Sequence, residues 1–186
     1  MSSRVVVTQL SEVMRAIAST GPTRNLVRVL LTGPCGVGKT AMARLLSSET
    51  EGIVHIELDR IKESVRVHPS PCSLKYLNLD ECLSLILDNS SSSFILDIGG
   101  DSIFRSGVDN EDRLRQVQQA KVKYGMAVVV LKAEKDVLLA RFTSSKNRTA
   151  GEFADVWYNW RSIEEPYWDR CADCIIDTTS LRLPAG

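Results

Sequence analysis

The stretch "VLLTGPCGVGKTAMARLL", from Val29 to Leu46, decides the fold. It opens on apolar residues typical of a buried strand, bends through three glycines, and continues with apolar residues at helical spacing. Its middle, Gly33 to Thr40, fits the pattern G-x-x-x-x-G-K-[ST], the P-loop or Walker A motif. A strand before this pattern and a helix after it are the setting in which such a loop holds phosphate groups.

The residue types in this loop each have a chemical reason. Glycines let the backbone curl so that its N–H groups point at phosphate oxygens, and the helix begun at Lys39-Thr40 adds its positive N-terminal end. Lys39 can reach the outer phosphates, and the Thr40 hydroxyl can bind Mg²⁺. The residues expected to contact the nucleotide are those of the loop and the first helical turn: Gly33, Gly36, Val37, Gly38, Lys39, Thr40 and Ala41.

The composition narrows the range of partners. Over 186 residues, 23 Lys and Arg balance 23 Asp and Glu, so only a local basic patch could attract nucleic acid or an anionic membrane. No apolar run is long enough to span a membrane, and Gln9, Glu12 and Arg15 interrupt any signal-peptide core. We therefore expect no membrane partner and a cytoplasmic location.

The five cysteines also favour a reducing compartment, because their number is odd and their spacing forms no disulfide framework. Cys171 and Cys174 form a C-x-x-C pair, which is either a helix end running into a strand or a redox or metal motif. A zinc site would require a second pair, and none is evident.

Short runs rich in Val, Ile and Leu alternate with helical patterns along the chain. The predicted strands are Leu26–Thr32, Ile53–Glu57, Phe94–Ile98, Met126–Leu131 and Cys174–Asp177. The predicted helices between them are Thr40–Ser48, Asp80–Asn89, Asp109–Tyr124, Lys135–Thr143 and Phe153–Arg170. This alternation predicts an α/β fold, with a parallel sheet between helices and ligands at the carboxyl ends of the strands.

The N-terminal segment has a helical pattern of its own. Leu10, Val13, Met14 and Ile17 follow helical spacing, so residues 1–25 are predicted to be a helical extension, packed on the domain or bound to a partner. Residues 26–186 are then one P-loop domain, with a lid at about 142–156.

Acidic residues follow the second and third predicted strands. Glu57 and Asp59 lie two positions apart, so they face the same side of an extended segment, beside the phosphate loop. One could serve a metal-bound water and the other accept a proton from an attacking hydroxyl; alternatively, Asp59 only caps the next helix. Asp97 ends an apolar strand and is typical of the acid that holds Mg²⁺ through water. Gly99-Gly100 then permit close backbone approach to a ligand, or simply form a sharp turn.

Two arginines flank a polar segment after the fourth strand. Arg141 ends a helix and would suit stacking on a purine, and Arg148 follows the polar run Ser144 to Asn147. Such a segment is typical of a lid that closes an arginine over the transferring phosphoryl group; the alternative is a solvated loop.

Together these motifs resemble those of shikimate kinase and its relatives among the small P-loop kinases, over about Val29 to Thr178. The likeness lies in the order of the pieces: the phosphate loop, "ELD" from Glu57, "LDIGGD" from Leu96, the two arginines, and "EEPYWDRCADCIIDTT" from Glu164. The resemblance implies a three-layer α/β/α fold whose five parallel strands have the order 2-3-1-4-5. It also implies ATP and Mg²⁺ as cofactors and transfer of the γ-phosphoryl group to an alcohol.

The same resemblance implies roles for single residues. Asp59 would receive the proton of the acceptor hydroxyl, while Lys39 and Arg148 stabilise charge on the transferring group. Arg141 would lie on the adenine side of the nucleotide. The residues implied near the metal are Thr40, Glu57 and Asp97, and those implied near the acceptor are Asp59, Gly99, Gly100, Asp101 and Glu164.

Departures from the family pattern concern the acceptor. Shikimate kinases hold a substrate carboxylate with arginines, but "KYLNLDECL" from Lys75 has none, and Glu164 stands where the second is expected. Asp101 replaces the third glycine of the usual triple. Acids in these places would repel a carboxylate, so the pocket favours a polyol, a nucleoside or an amine-bearing alcohol.

Three functions therefore stay open on the sequence. One is a small-molecule kinase. Another is a nucleotide-binding module that only hydrolyses the nucleotide or has no catalytic activity. The last is a kinase of a nucleic-acid hydroxyl or modified base, which the neutral charge disfavours. Its base-stacking wall would be Trp157, Tyr158 and Trp160, which equally suit core packing, and its basic stripe Arg113, Arg115, Lys121 and Lys123.

Overall fold

The computed structural model describes most of the chain after residue 25. The described residues are 26–58, 80, 83–84, 93–99, 109–146 and 148–181, together with 3–6; for 3–6 and 145–146 only the backbone is described. The predicted helix over Leu10 to Ile17, most of the one over Asp80–Asn89, and the predicted site residues Asp59, Gly100 and Asp101 lie outside these ranges.

The described strands form one parallel sheet. They are β1 (Ser3–Val6), β2 (Arg28–Thr32), β3 (Ile53–Glu57), β4 (Ser93–Asp97), β5 (Ala127–Lys132) and β6 (Cys174–Asp177). Their order is β1-β6-β5-β2-β4-β3. Counted from residue 26, the five core strands have the order 2-3-1-4-5, so the predicted fold class is confirmed.

Strand β1 was not predicted within residues 1–25, where the sequence pattern indicates only a helical extension. It lies at the edge of the sheet, parallel to β6, with Ser3 opposite Cys174 and Val6 opposite Asp177. Without β1, strand β6 would be at the edge and would present unpaired N–H and C=O groups. β-branched residues such as Val5 and Val6 favour the extended backbone that can pair with these groups. The first residues therefore extend the sheet.

Helices cover both faces of this sheet. They are α1 (Lys39–Glu49), α2 (Asn110–Tyr124), α3 (Lys135–Lys146), α4 (Ala150–Asn159), a π-helical turn (Trp160–Glu164) and α5 (Glu165–Cys171). None of the helices described here combines the length and the apolar character that crossing a bilayer requires.

Two apolar clusters lie on opposite faces because side chains alternate along each strand. Leu30 of β2 and Val128 of β5 point to the face covered by α2 and α5, where Trp168 is fully buried. Their neighbours Leu31 and Val129 point to the face covered by α1 and α3. This burial on both faces explains why the strands are continuously apolar.

The predicted helix Phe153–Arg170 is divided into three pieces. Pro166 lies in the first turn of α5 and has no N–H to give to the carbonyl of Ser162, so the backbone passes through the π-helical turn there. At the other end, Thr149 and Glu152 form a capping box, which begins α4 earlier than the apolar pattern indicates.

Candidate active site

The phosphate loop follows β2 at the carboxyl edge of the sheet. Its glycines Gly33, Gly36 and Gly38 all have positive φ, at 149°, 85° and 93°. A Cβ on Gly33 would lie 2.5 Å from the backbone oxygen of Leu131, and one on Gly36 would lie 3.1 Å from that of Leu138. The loop is therefore pressed against β5 and α3, and only glycine fits at these positions.

Two side chains at the start of α1 face this loop. The Nζ of Lys39 donates hydrogen bonds to the carbonyl oxygens of Gly33, at 2.8 Å, and Pro34, at 3.2 Å. The hydroxyl of Thr40 donates to Oδ2 of Asp97 at 2.6 Å. Helix α1 thus presents an ammonium group, a hydroxyl and its positive N-terminal end at one place, as the sequence motif predicts.

Asp97 ends β4 between the ends of two neighbouring strands. It pairs in register with Leu31 of β2 and Glu57 of β3, and only 4% of it is exposed. Burial raises the pKa of this carboxyl above its ordinary value, although the hydrogen bond from Thr40 opposes the shift. A buried carboxylate beside a hydroxyl is stabilised by a nearby cation, so this pair fits a magnesium ion.

Glu57 lies beside Asp97 but has a partner of its own. Its Oε2 is 3.3 Å from a guanidinium nitrogen of Arg44 in α1. No group of three or more His, Cys, Asp or Glu side chains suited to a metal occurs among the described residues. A magnesium ion here would therefore depend on Thr40, Asp97, phosphate oxygens and water rather than on a protein cage, which is how Mg²⁺ usually binds.

His55 is a site residue that sequence reasoning missed. Its Nε2 lies 3.8 Å from Oδ2 of Asp97, and this nitrogen is buried without a hydrogen-bond partner among the described residues. The signal was available, because His55 precedes Glu57 by two positions and so faces the same side of β3.

Arg141 connects α3 to the segment that follows β6. Its guanidinium donates to the hydroxyl and carbonyl oxygens of Thr178, at 3.2 and 2.9 Å, and to the carbonyl of Leu181 at 2.9 Å. The hydroxyl of Thr178 in turn lies within hydrogen-bond distance of two carbonyl oxygens, that of Lys132 at 3.1 Å and that of Val37 in the phosphate loop at 3.3 Å. Partial burial lowers the pKa of Arg141. The arginine is thus held in a fixed orientation one residue away from the loop.

Arg148 lies in the short connection between α3 and α4. Its guanidinium carbon is 5.3 Å from the ring centre of Phe142, whose Cβ would lie 3.5 Å from a Cβ on Gly36. The exposed arginine is therefore one side chain away from the phosphate loop. Of the predicted lid, residues 142–146 belong to α3 and 150–156 belong to α4.

The predicted acceptor residues are only partly described. Gly99 follows β4 at its carboxyl end and is half-buried. Glu164 ends the π-helical turn and is half-buried. The placement of Asp59, the predicted proton acceptor, lies outside the described residues and stays a prediction.

A cavity of about 620 Å³ opens beside the loop. It is bounded by the loop, by the ends of β5 and β6, and by the chain from α4 to α5: Pro34, Lys132, Ala133, Glu134, Trp157, Trp160, Arg161, Glu165, Pro166, Asp169 and Asp177. We call it the Trp157 cavity. Of the two glutamates in the Glu164-Glu165-Pro166 run, Glu165 lines this cavity and Glu164 does not.

The aromatic residues after the lid combine both sequence interpretations. Trp160 is 2% exposed and belongs to the core, yet it lines the Trp157 cavity together with half-buried Trp157. Tyr158 is 67% exposed and does not line it. Lys132 was missed by sequence reasoning, although it ends a core strand and obeys the rule that selected Asp97.

The C-x-x-C pair is structural in its placement. Cys171 ends α5, Cys174 begins β6, and both are buried free thiols. Burial raises the pKa of Cys171 to about 12 and also raises that of Cys174. The interpretation of the pair as a helix end that runs into a strand is confirmed.

Comparison with known proteins places this fold. No protein-family model matches the sequence. No curated protein matches it at a significant level. Among solved structures, the chain is similar to shikimate kinase from Bacteroides thetaiotaomicron, with 18% identity, a TM-score of 0.55, and coverage of 81% of this chain and 85% of that one.

Two further structures give the same result. Shikimate kinase from Acinetobacter baumannii, in complex with shikimate, is 18% identical with a TM-score of 0.56, over 83% of this chain and 85% of that one. The tunicamycin resistance protein of Deinococcus radiodurans is 20% identical with a TM-score of 0.54, over 83% and 88%. The chain therefore has a shikimate kinase-like fold, as the sequence predicts.

Proposed function

We propose that this protein is a magnesium-dependent kinase that transfers the γ-phosphoryl group of ATP to an alcohol group of a small molecule. The single observation that carries the proposal is the hydrogen bond of 2.6 Å between Thr40 and the buried Asp97, directly below a loop of positive-φ glycines. Hydroxyl, carboxylate and loop together are what a magnesium–nucleotide complex requires.

The residues around the phosphate loop would have separate tasks in this reaction. The loop amides bind the phosphates, and Lys39 and Arg148 stabilise charge on the transferring group. Arg141, held by Thr178 and Leu181, orients the nucleotide base. Bound Mg²⁺, held near Thr40 and Asp97 with Glu57 close by, would neutralise charge between the outer phosphates.

The proposed transfer is a single displacement at the γ-phosphorus. The acceptor oxygen forms a bond to the γ-phosphorus while the bond from that phosphorus to the bridging oxygen breaks, and ADP leaves. The hydroxyl proton goes to the carboxylate of Asp59, with Gly99, Gly100, Asp101 and Glu164 near the acceptor. Most of the acceleration comes from positioning and electrostatics.

The described basic residues count against a nucleic-acid acceptor. Arg113 is 7% exposed, with its guanidinium over the ring of Tyr167 at 5.5 Å. The other members of the candidate stripe are in ion pairs: Arg115 with Asp112, Lys121 with Asp173, and Lys123 with Asp80. A groove that follows a phosphate backbone needs cations that are available to it.

A screen for acceptor-dependent ADP release tests the proposal. Mg-ATP is offered with alcohols, nucleosides, amino sugars, shikimate and oligonucleotides, and we expect release with at least one small alcohol. The variant Asp59→Asn should lose roughly 10²- to 10⁴-fold in transfer rate while its ATP affinity, measured by calorimetry, stays within about twofold.

The outcomes separate the alternatives. Nucleotide binding without acceptor-dependent turnover would replace the kinase by a nucleotide-binding module. Release only with oligonucleotides, weakened by salt, would favour a nucleic-acid kinase. Undiminished transfer by Asp59→Asn would remove Asp59 as the proton acceptor. The free buried thiols fit a protein of the cytoplasm.

A further inference from the structure

His55 brings a buried polar atom to the place where a magnesium ion is proposed to bind. Its Nε2 is buried and has no hydrogen-bond partner in the part of the chain that the structure describes. The side chain as a whole is only 12% exposed, so water reaches little of it. Such an atom costs free energy in a folded protein, and its presence therefore calls for an explanation.

The geometry of β3 directs this side chain toward Asp97. Alternation along the strand puts His55 and Glu57 on the same face as Ile53, which belongs to the apolar cluster covered by α1. Strands β3 and β4 pair in register, with Glu57 opposite Asp97 and His55 opposite Ile95. The histidine thus lies two residues before the end of β3, on the inner side of the carboxylates at that end.

One oxygen of Asp97 is close to two side chains that can donate to it. The Thr40 hydroxyl donates to Oδ2 at 2.6 Å, and Nε2 of His55 lies 3.8 Å from the same oxygen. A carboxylate oxygen has room for two donors, and a histidine donates from Nε2 in the tautomer that carries its hydrogen there. The separation exceeds a usual N–H···O bond by roughly 0.8 Å, and hydrogen bonds at catalytic sites are often long until the reactants are bound.

A second donor would give the Asp97 carboxylate a fixed direction. A carboxyl group can turn about the bond that attaches it, because that torsion has broad energy wells. Donors on both sides of Oδ2 would fix the plane of the group and so the direction of its other oxygen. Carboxylates that serve metal ions are usually oriented by such outer partners. The neighbouring Glu57 cannot donate, and it is in an ion pair with Arg44.

We propose that His55 is a positioning residue of the magnesium site: its Nε2–H donates to Oδ2 of Asp97 when magnesium and nucleotide are bound, and holds the carboxylate toward the ion. His55 touches neither the ion nor the reacting atoms, and it gives up no proton. This proposal rests on the magnesium–nucleotide site of the proposed function, and it is independent of which alcohol is the acceptor.

The experiment separates magnesium-dependent from magnesium-independent binding of ATP. His55→Phe keeps a planar ring and removes both nitrogens, whereas His55→Gln keeps an amide N–H donor on a side chain of similar reach. Calorimetry measures the Kd of ATP with Mg²⁺ and with EDTA. We expect His55→Phe to bind Mg-ATP roughly 10- to 100-fold more weakly and ATP in EDTA within about twofold of the unsubstituted protein. His55→Gln should stay within about threefold in both.

Stability gives a readout that moves in the opposite direction. Removing a polar atom that is buried without a partner should not destabilise the fold, so the urea midpoint of His55→Phe, measured without nucleotide, should equal or exceed that of the unsubstituted protein. His55→Leu has a smaller side chain than Phe and repeats the test in case the phenyl ring is too large. Val54→Leu, on the opposite and half-exposed side of β3, is the control and should change neither the midpoint nor the affinities.

Each outcome supports or overturns the proposal. Undiminished Mg-ATP affinity in both His55→Phe and His55→Leu overturns it, as does a loss in His55→Gln as large as in His55→Phe. Equal losses with Mg²⁺ and EDTA, together with lowered urea midpoints, would mean that the histidine is only structural.

The failures of this proposal and of the proposed function are distinguishable. If Thr40→Val loses the magnesium effect while His55→Phe keeps it, the role of His55 fails alone. If Mg²⁺ does not strengthen ATP binding even in the unsubstituted protein, the magnesium site of the proposed function fails, and the role of His55 fails with it. A protein that binds Mg-ATP in this way but phosphorylates no alcohol would overturn the kinase and leave His55 as a positioning residue.

Discussion

Two glycines with nearly equal backbone angles test what the phosphate loop requires. Gly36 has φ of 85° and a Cβ there would lie 3.1 Å from the backbone of α3, whereas Gly52 has φ of 82° with nothing within 4 Å. Both substitutions by alanine incur left-handed strain of about 1 kcal/mol. Gly36→Ala should destabilise by roughly 2–4 kcal/mol and lose ATP binding, since the loop must move.

Urea unfolding and the shift of Tm by Mg-ATP measure this pair. Gly52→Ala should keep the full nucleotide-induced shift. Equal stability losses, with equal ATP affinity, would show that the contact between Gly36 and α3 does not shape the loop.

The Thr40 hydroxyl permits an isosteric test. Thr40→Val keeps the volume but removes the donor to the buried Asp97, so magnesium should no longer raise ATP affinity, with a loss of about tenfold or more. Thr40→Ser keeps the hydroxyl and should retain most of the effect. Calorimetric titration of ATP with and without Mg²⁺ is the measurement, and a magnesium effect that is intact in Thr40→Val would contradict the site.

Cysteine alkylation reports on the loop directly. Cys35 is half-buried within the phosphate loop, whereas Cys171 is buried with a pKa raised to about 12 and so stays protonated near pH 8. We expect iodoacetamide to modify Cys35 first, as read by peptide mass spectrometry, and Mg-ATP to slow that reaction severalfold. Modification of Cys35 at the same rate with and without nucleotide would separate the loop from nucleotide binding.

Single residues also show how far the sequence could predict the site. Lys39, Thr40 and Asp97 could be placed because a motif and a strand end fix their positions locally. His55 and Lys132 obey the same strand rules but belong to no motif, so nothing drew attention to them. The grouping of Glu165 with Lys132 depends on how α5 packs on β5, which local pattern does not contain.

At the scale of elements, the side chain of Lys132, the last residue of β5, links this strand to α5. Removing it in Lys132→Met leaves Glu165 and Asp169, which face each other across its ammonium, without their shared cation. We expect a loss of roughly 2–4 kcal/mol, as for a largely buried pair that loses one partner. Arg161→Met should cost at most about 1 kcal/mol, because Arg161 is more than half exposed and its bond, from the π-helical turn to the first residue of α5, is local in sequence.

Urea denaturation of both variants measures this difference. A larger loss for Arg161→Met than for Lys132→Met would mean that the charges near α5 do not connect it to the sheet.

The predicted element boundaries were wrong where a local feature, such as a proline or a helix cap, outweighs apolar periodicity. Pro166 divides the last predicted helix, and the capping box at Thr149 begins α4 before its first apolar residue. Strand β1 was not predicted, because the helical spacing from Leu10 onward is the stronger pattern in the N-terminal residues. The core strands were predictable, since their continuous apolar runs are only five or six residues long, which suits a buried strand better than a helix.

At the scale of the molecule, the strand order concentrates the chemistry at one edge. Strand β2 lies between β4 and β5, so the phosphate loop has Asp97 on one side and Lys132 on the other. A parallel sheet brings all carboxyl ends to that edge, which is why sequence motifs far apart could be assigned to one site in advance. The choice of acceptor depends on side-chain packing across several elements, which no local sequence pattern contains.

The central claim is that the site at the carboxyl edge of the sheet transfers a phosphoryl group to an alcohol. The most direct measurement incubates the protein with Mg-ATP labelled in the γ-phosphate and the acceptor panel, and follows the label by mass spectrometry. We predict that the label appears on an alcohol as a phosphomonoester, and that Lys39→Ala reduces this product by about 10²-fold or more. Label found only in ATP or inorganic phosphate, across the whole panel, would contradict the account.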